Sequence, residues 1–274
     1  MPPTPAQKRA TFFTLHQSGC FVIPNPFDVG SAKYLQHLGF KALATTSAGF
    51  AWSHGVADNK VTRDMVLAHL RDIVGAVDVP VNADFEGGFA HDPAGVADNV
   101  KRAVETGVAG LSIEDFNGNP SDPLYAFDDA VARIKAARKA IDETGANVIL
   151  TARTEGYCFG RPDLAETIKR LKAFADAGAD CVFAPAMKSL SEIEELVNAV
   201  APTPVNVGGA VFGWSVEKLS ALGVRRISLG VGLARAAWTD FMRVAHSVAE
   251  TGSFDAFGTV TKTDFNAFFN SSSS

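Results

Sequence analysis

The sequence predicts an α/β chain folded as a (β/α)8 TIM barrel in a single domain. A refrain recurs in QHLGFKAL, VETGVAGLSI, DETGANVIL, ADAGADCVFA and SALGVRRISL: an amphipathic stretch, then Gly, then an apolar run. Glycine after a helix supplies the left-handed cap that lets the chain turn back. The runs that follow are four to seven residues long, β-branched and largely apolar, which suits strands buried on both faces. Eight such runs fit within 274 residues with no shift in composition, and that count favours a barrel over an open doubly wound sheet.

Taken in order, a helical segment is expected over residues 1–18, ahead of a first strand near 20–24. Further strands are expected near 41–46, 79–84, 109–114, 147–152, 180–185, 203–207 and 225–229. Two helix starts are legible between them. Asp92-Pro93 places a cap before a proline at the first helical position, and Ser189 with Glu192 has capping-box spacing. A C-terminal helical region is expected over 234–269 and a disordered tail over 270–274. Phe254, Phe257, Phe265, Phe268 and Phe269 make that region aromatic, as suits docking on its own barrel or on a neighbour's.

Composition excludes several classes. The net charge is −5 and no Lys/Arg run forms a stripe, which argues against nucleic acid as a partner. No apolar run reaches the length of a membrane span, and MPPTPAQKRA contains no signal-like apolar region. Cys20, Cys158 and Cys181 are an odd count, and two of them sit in apolar runs. They read as reduced, buried thiols and place the chain in the cytoplasm.

The chemistry gathers at strand ends. Thr45, Thr46 and Ser47 close KALATTS, with Asp58 shortly after; Asp84 and Glu86 close VPVNADFE. Glu114 and Asp115 close AGLSIED, and Arg153 and Glu155 close NVILTARTE. A barrel places its site at these C-terminal ends. Alternation along a strand points Asp84 and Glu86 to one side, with Glu114 in reach. Such a cluster repels itself unless protons or a cation compensate, and oxygen-only donors favour Mg²⁺ or Mn²⁺ over zinc. Arg153 suits either a bidentate clamp on an anionic ligand or neutralisation of Glu114, and the two roles are compatible. The TTSAG stretch suits an anion-binding nest of backbone N–H groups, or a plain tight turn.

IPNPFDVGSA, ATTSAGFAWSHGVAD, NADFEGGF, LSIED and LTARTE, in this order and spacing, resemble the isocitrate lyase/phosphoenolpyruvate mutase superfamily from about Phe21 to Arg235. The resemblance implies a barrel, usually in a tetramer whose C-terminal helix swaps onto a neighbour, so a homo-oligomer (dimer or tetramer) is expected. It implies a Mg²⁺-dependent site for small 2-oxo or 2-hydroxy carboxylates, with chemistry through a pyruvate-like enolate. By position, Asp84 matches the carboxylate nearest the metal. Asp58, Glu86 and Glu114 match acids that bind it directly or through water, with Asp58 and Glu114 also among the catalytic residues. Thr46, Ser47 and Ala48 match the loop that holds the substrate carboxylate, and Arg153 matches the arginine at the enolate end.

The chain also departs from that pattern. The loop after IED, 116–129, reads FNGNPSDPLYAFDD and lacks the Cys, His and Lys of the isocitrate and methylisocitrate lyases. Their Asn-x-Thr-Glu segment reads Asn206-Val207-Gly208-Gly209, so Asn206 alone remains for substrate binding. Cys158 is expected as a small residue in a packed loop, His54 as a minor acid or base candidate, and His91 as a surface loop residue. The expected function is a Mg²⁺-dependent carbon–carbon lyase, of retro-aldol or decarboxylase type, on a small 2-oxo carboxylate. The alternatives are a phosphonopyruvate-type C–P hydrolase or mutase and a catalytically inactive 2-oxo acid binding protein.

Overall fold

The computed structural model describes residues 1–211 and 213–271. Eight parallel strands form one sheet: Phe21–Ile23 (β1), Leu43–Ala44 (β2), Val81–Asp84 (β3), Gly110–Glu114 (β4), Ile149–Arg153 (β5), Cys181–Phe183 (β6), Val205–Gly208 (β7) and Arg226–Ser228 (β8). Their order is β1-β8-β7-β6-β5-β4-β3-β2, so the sheet curls until β1 and β2 face each other. Each expected strand is present, shorter than its apolar run. The barrel is nearly closed: Ala44 N–H donates to Pro24 O at 3.0 Å across the seam, where no strand ladder forms. Asn25, which is buried, staples the same seam. Its Nδ2 donates to Thr45 O at 3.0 Å, and its Oδ1 accepts from the Leu229 and Gly230 amides at 2.9 Å each.

Helices Pro5–Gln17 (α1), Val29–His37 (α2), Ser47–Ser53 (α3), Arg63–Ala76 (α4), Pro93–Glu105 (α5), Phe127–Glu143 (α6), Leu164–Asp176 (α7), Leu190–Val200 (α8) and Val216–Ala221 (α9) complete this unit. Their starts follow from local chemistry. The Asp92 carboxylate accepts from Gly95 N–H at 2.9 Å ahead of Pro93, and Ser189 Oγ accepts from Glu192 N–H at 3.3 Å. Helix α7 ends through Gly178, whose φ of +103° turns the chain into β6. A Cβ there would lie 2.5 Å from Arg138 Cγ, so glycine is required twice over.

Helix α1 packs at the N-terminal end of the strands. Phe12, fully buried, joins Ile23, Ala42, Ala44, Ala109 and Ile149 in one apolar cluster. Gly110 makes room for it, since a Cβ at that position would stand 2.6 Å from Phe12 Cε1. With that end filled, the open end of the barrel is the one that carries the charged strand termini.

From Gly232 onward the chain forms a second compact unit. It consists of Gly232–Thr251 (α10), a 3-10 turn over Asp255–Thr259 and Phe265–Ser271 (α11). The expected disordered tail is corrected in part, because α11 continues through Asn270 and Ser271; residues 272–274 lie outside the described residues. Among the described residues no helix is long and apolar enough to cross a membrane.

Candidate active site

Strand register sets the site. Glu114 pairs with Arg153, Arg153 with Phe183, Phe183 with Asn206 and Asn206 with Arg226, so one line of residues crosses five neighbouring strands, β4 to β8. A cavity of about 350 Å³ opens over this line at the C-terminal strand ends. Thr46, Ser47, Ala48, Asp58, Asp84, Glu114, Arg153 and Asn206, all anticipated from sequence, line it.

Arg153 is the hub. Its Nη1 donates to Asp84 Oδ1 at 2.8 Å, and its Nη2 lies 3.2 Å from Glu114 Oε2 and 2.9 Å from Glu155 Oε1. Nε also donates to Glu155 Oε1, at 3.0 Å. Both sequence-based roles thus begin from the same geometry: the guanidinium neutralises Glu114 and stands in the cavity wall. Burial acts to lower the pKa of Arg153, but Glu155, Glu114 and Asp84 outweigh it and raise it well above its ordinary value.

The carboxylates show the opposite strain. Burial, then Asp84 and Asp58, push Glu86 up to about 8. Burial also holds Glu114 well above the usual range, with Glu155, Asp84 and Glu86 adding to it and Arg153 opposing. Asp58 lies on an exposed turn, yet crowding around its carboxyl and the charge of Asp84 raise it, while the Ser47 hydroxyl pulls the other way.

Two expectations, for Glu86 and Cys158, need correction. Strand alternation does not orient Glu86, because β3 ends at Asp84 and Glu86 sits in a turn at φ +48°. That left-handed backbone sends Glu86 into an adjoining cavity of about 610 Å³, which shares Asp58 and Glu114 with the first. The Ser47 amide is not free to face an anion: it donates to Asp84 Oδ2 at 2.9 Å, at the start of α3 with Thr46 as its cap. Cys158 is exposed and lines the first cavity rather than packing within a loop. Packing around its thiol, then Glu155, push the pKa up, so the sulfur stays protonated.

Other candidates fall elsewhere. His54 is exposed, bonds to Phe50 O through Nδ1 at 3.1 Å and borders a separate cavity with His69. His91 is exposed, as expected, with Nδ1 2.7 Å from Tyr125 Oη. Asp115 points away from the cavity: it accepts from Thr154 Oγ1 and from the Glu155 amide and pairs with Arg170 at 3.2 Å. It organises the turn that carries Glu155. The loop after β4 is tied down by the stacking of Phe116 on Phe159 and by Arg161 on Asp122.

Sequence reasoning missed Arg226, Ser228, Asn82 and Ser112, which line the deep part of the cavity. A signal existed in VRRISL, where a charged and a hydroxyl residue alternate with an outward-facing Ile227.

Among the described residues no three His, Cys, Asp or Glu side chains converge as a ready metal-binding group. The donor set still fits a hard cation. It consists of oxygens that raise one another's pKa, and Glu86 Oε1 is buried without a hydrogen-bond partner. Carboxylates coupled by charge but standing apart suit Mg²⁺, which retains several of its waters, better than a closed zinc site.

The phosphoenolpyruvate phosphomutase family model matches residues 12–249. The chain belongs to this family. An uncharacterised Mycobacterium tuberculosis protein (strain CDC 1551 / Oshkosh) is 35% identical over 80% of this chain and 81% of its own length. The 2-methylisocitrate lyase of Escherichia coli (strain K12) is 30% identical over 70% of this chain and 66% of its own length. Among solved structures, 2,3-dimethylmalate lyase superposes with a TM-score of 0.83 at 25% identity, covering 99% of this chain and 95% of that one. The family therefore places this barrel among carbon–carbon lyases and mutases, and its lyase relatives are of the carbon–carbon bond class.

Proposed function

We propose that the protein is a Mg²⁺-dependent carbon–carbon lyase, with Mn²⁺ as a substitute metal, acting on a small 2-oxo or 2-hydroxy carboxylate through a pyruvate-like enolate. The observation that carries this reading is the juxtaposition of Arg153 with Asp84 and Glu114 in the wall of the 350 Å³ cavity, with Asp58 and Glu86 crowding the same charge.

In this reading Asp84, Glu86, Glu114 and Asp58 hold the cation, directly or through water. The metal, when bound, stabilises negative charge at the C2 oxygen of a 2-oxo acid. Arg153 faces the same developing charge, and its N–H groups are fixed in direction by the carboxylates, so little reorganisation accompanies the reaction. Thr46, Ser47 and Ala48 receive the substrate carboxylate. For that to happen the Ser47 amide exchanges Asp84 for the ligand, which frees an Asp84 oxygen for the cation. Asn206 contacts the far end of the substrate.

Incubation with oxaloacetate and other 2-oxo acids, with Mg²⁺ and with chelator, tests the proposal. Metal-dependent release of a shorter 2-oxo acid or of CO₂ supports it. Release of phosphate and pyruvate from phosphonopyruvate supports the C–P hydrolase alternative, and its isomerisation to phosphoenolpyruvate without phosphate release supports the mutase alternative. Ligand binding without turnover on any of these points to a binding protein. The reading also carries a homo-oligomer, supported by the exposed Trp238, Phe241 and Met242 of α10, and a cytoplasmic setting, supported by three free cysteines.

A further inference from the structure

Beneath the carboxylates the barrel interior is polar, where such barrels are ordinarily filled by aliphatic layers. Thr151, Asn206, Arg226 and Ser228 are all buried, with Arg226 only 3% exposed. Asn206, Arg226 and Ser228 line the deep end of the cavity. Arg226 Nε donates to Asn206 Oδ1 at 2.9 Å, Nη2 donates to Thr151 Oγ1 at 2.9 Å, and Nη1 lies 3.4 Å from His16 Nε2. His16 Nδ1 sits 2.8 Å from Phe12 O, so Nδ1 carries the proton and Nε2 is the acceptor.

None of these partners carries negative charge. Burial first, then Arg226, hold His16 near a pKa of 3, so the imidazole is neutral. Among the described residues no carboxylate forms an ion pair with Arg226, whereas Arg153 on the same register line has three. Burial acts first to lower the pKa of Arg226, and Arg153 repels it. Cys181, which favours its charge, is a buried thiol held protonated and so offers no counter-charge. A guanidinium does not discharge, and a buried charge is costly unless paired. Three of its N–H groups are committed, and the group has more to give. Arg226 is therefore a buried cation whose counter-charge is not in the described chain and whose open side is the cavity.

We propose that Arg226 makes the deep end of the cavity an anion subsite, drawing in a negatively charged group of the ligand. By holding Asn206 Oδ1 it also keeps that amide's Nδ2, 3.0 Å from Ser228 Oγ, as a donor beside the same group. The inference rests on the small-carboxylate reading above and adds to it a second anionic group, placed by a residue of β8. It also accounts for a departure noted in the sequence: the chain lacks most of the Asn-x-Thr-Glu segment on β7, and the adjoining strand offers a cation in its stead.

The test uses two four-carbon 2-hydroxy acids, malate and 2-hydroxybutyrate, which differ in a terminal carboxylate against a methyl. Calorimetry with Mg²⁺ on the full chain should show malate binding at least about tenfold more tightly. Arg226→Met should reduce that ratio to about unity while leaving the weaker ligand's affinity within about twofold. Arg226→Lys should retain part of the preference. Asn206→Asp, which sets a carboxylate against Arg226, should raise the melting temperature and abolish the preference. Equal affinity of the two acids for the wild-type protein overturns the subsite even if Arg226→Met fails to fold. Binding of neither acid, nor of oxalate, overturns instead the carboxylate reading on which the subsite rests. A preference for malate that persists in folded Arg226→Met places the anion elsewhere.

Discussion

Arg153 Nη1 lies 2.8 Å from Asp84 Oδ1, joining the end of β5 to the end of β3 across the intervening β4. The same guanidinium reaches Glu114 on β4 and Glu155 beyond β5. One side chain therefore sets the spacing of three acids, and the metal and enolate roles both depend on that spacing.

Arg153→Lys tests this hub. A lysine keeps the charge but cannot direct separate N–H groups at three carboxylates. Turnover on whichever 2-oxo acid proves to be a substrate should fall by at least about tenfold, which is about 1.4 kcal/mol of transition-state stabilisation. Steady-state kinetics should show the loss in kcat. A variant with wild-type kcat would reduce Arg153 to a structural counter-ion.

Asp84→Ala separates metal binding from folding. Arg153 keeps Glu114 and Glu155, and the remaining acids repel each other less. Stability should change by less than about 2 kcal/mol, while Mg²⁺ affinity by calorimetry drops below detection. Unchanged affinity would remove Asp84 from the metal site.

Glu86 gives the metal-free protein a pH signature. A carboxyl raised in the folded chain contributes stability that is complete below about 4.5 and lost as pH climbs through about 8. His16 and His69, held near 3 and 4 by burial, act in the opposite sense on the acid side, and their effect ends above about 6.5. Metal-free protein should therefore lose stability from about pH 6.5 to about 8, and Mg²⁺ should restore it. Chemical denaturation of Glu86→Gln should show a shallower slope over that window. An unchanged slope would assign the loss to another group.

The fold was legible because most strands are announced by Gly after an amphipathic stretch, and because buried parallel strands need no partner-specific code. The strand ends were legible for the same reason: charged residues that close apolar runs have one place to go. Glu86 was misplaced because a left-handed backbone at a non-glycine leaves no mark in the sequence. Arg226 was passed over because a charged residue within a strand reads as an edge, and only barrel closure turns it inward. The Ser47–Asp84 bond joins residues 37 positions apart, beyond the reach of any local pattern.

Asn25 is a test of closure rather than chemistry. It is buried and spans the β1–β2 seam with three bonds to backbone groups. Asn25→Ala strands an acceptor and two donors, so thermal or urea unfolding should show a loss of about 2–4 kcal/mol. A loss under about 0.5 kcal/mol would mean that the Ala44–Pro24 bond closes the barrel unaided.

Oxalate binding tests the central claim most directly. Oxalate has the shape and charge of pyruvate enolate, so a site built for that species should prefer it. Titration with oxalate and with pyruvate, each with Mg²⁺ and with chelator, should show oxalate binding more tightly than pyruvate, and only when metal is present. Equal affinity for the two, or oxalate binding that ignores the metal, would contradict the enolate site and leave a simple carboxylate pocket.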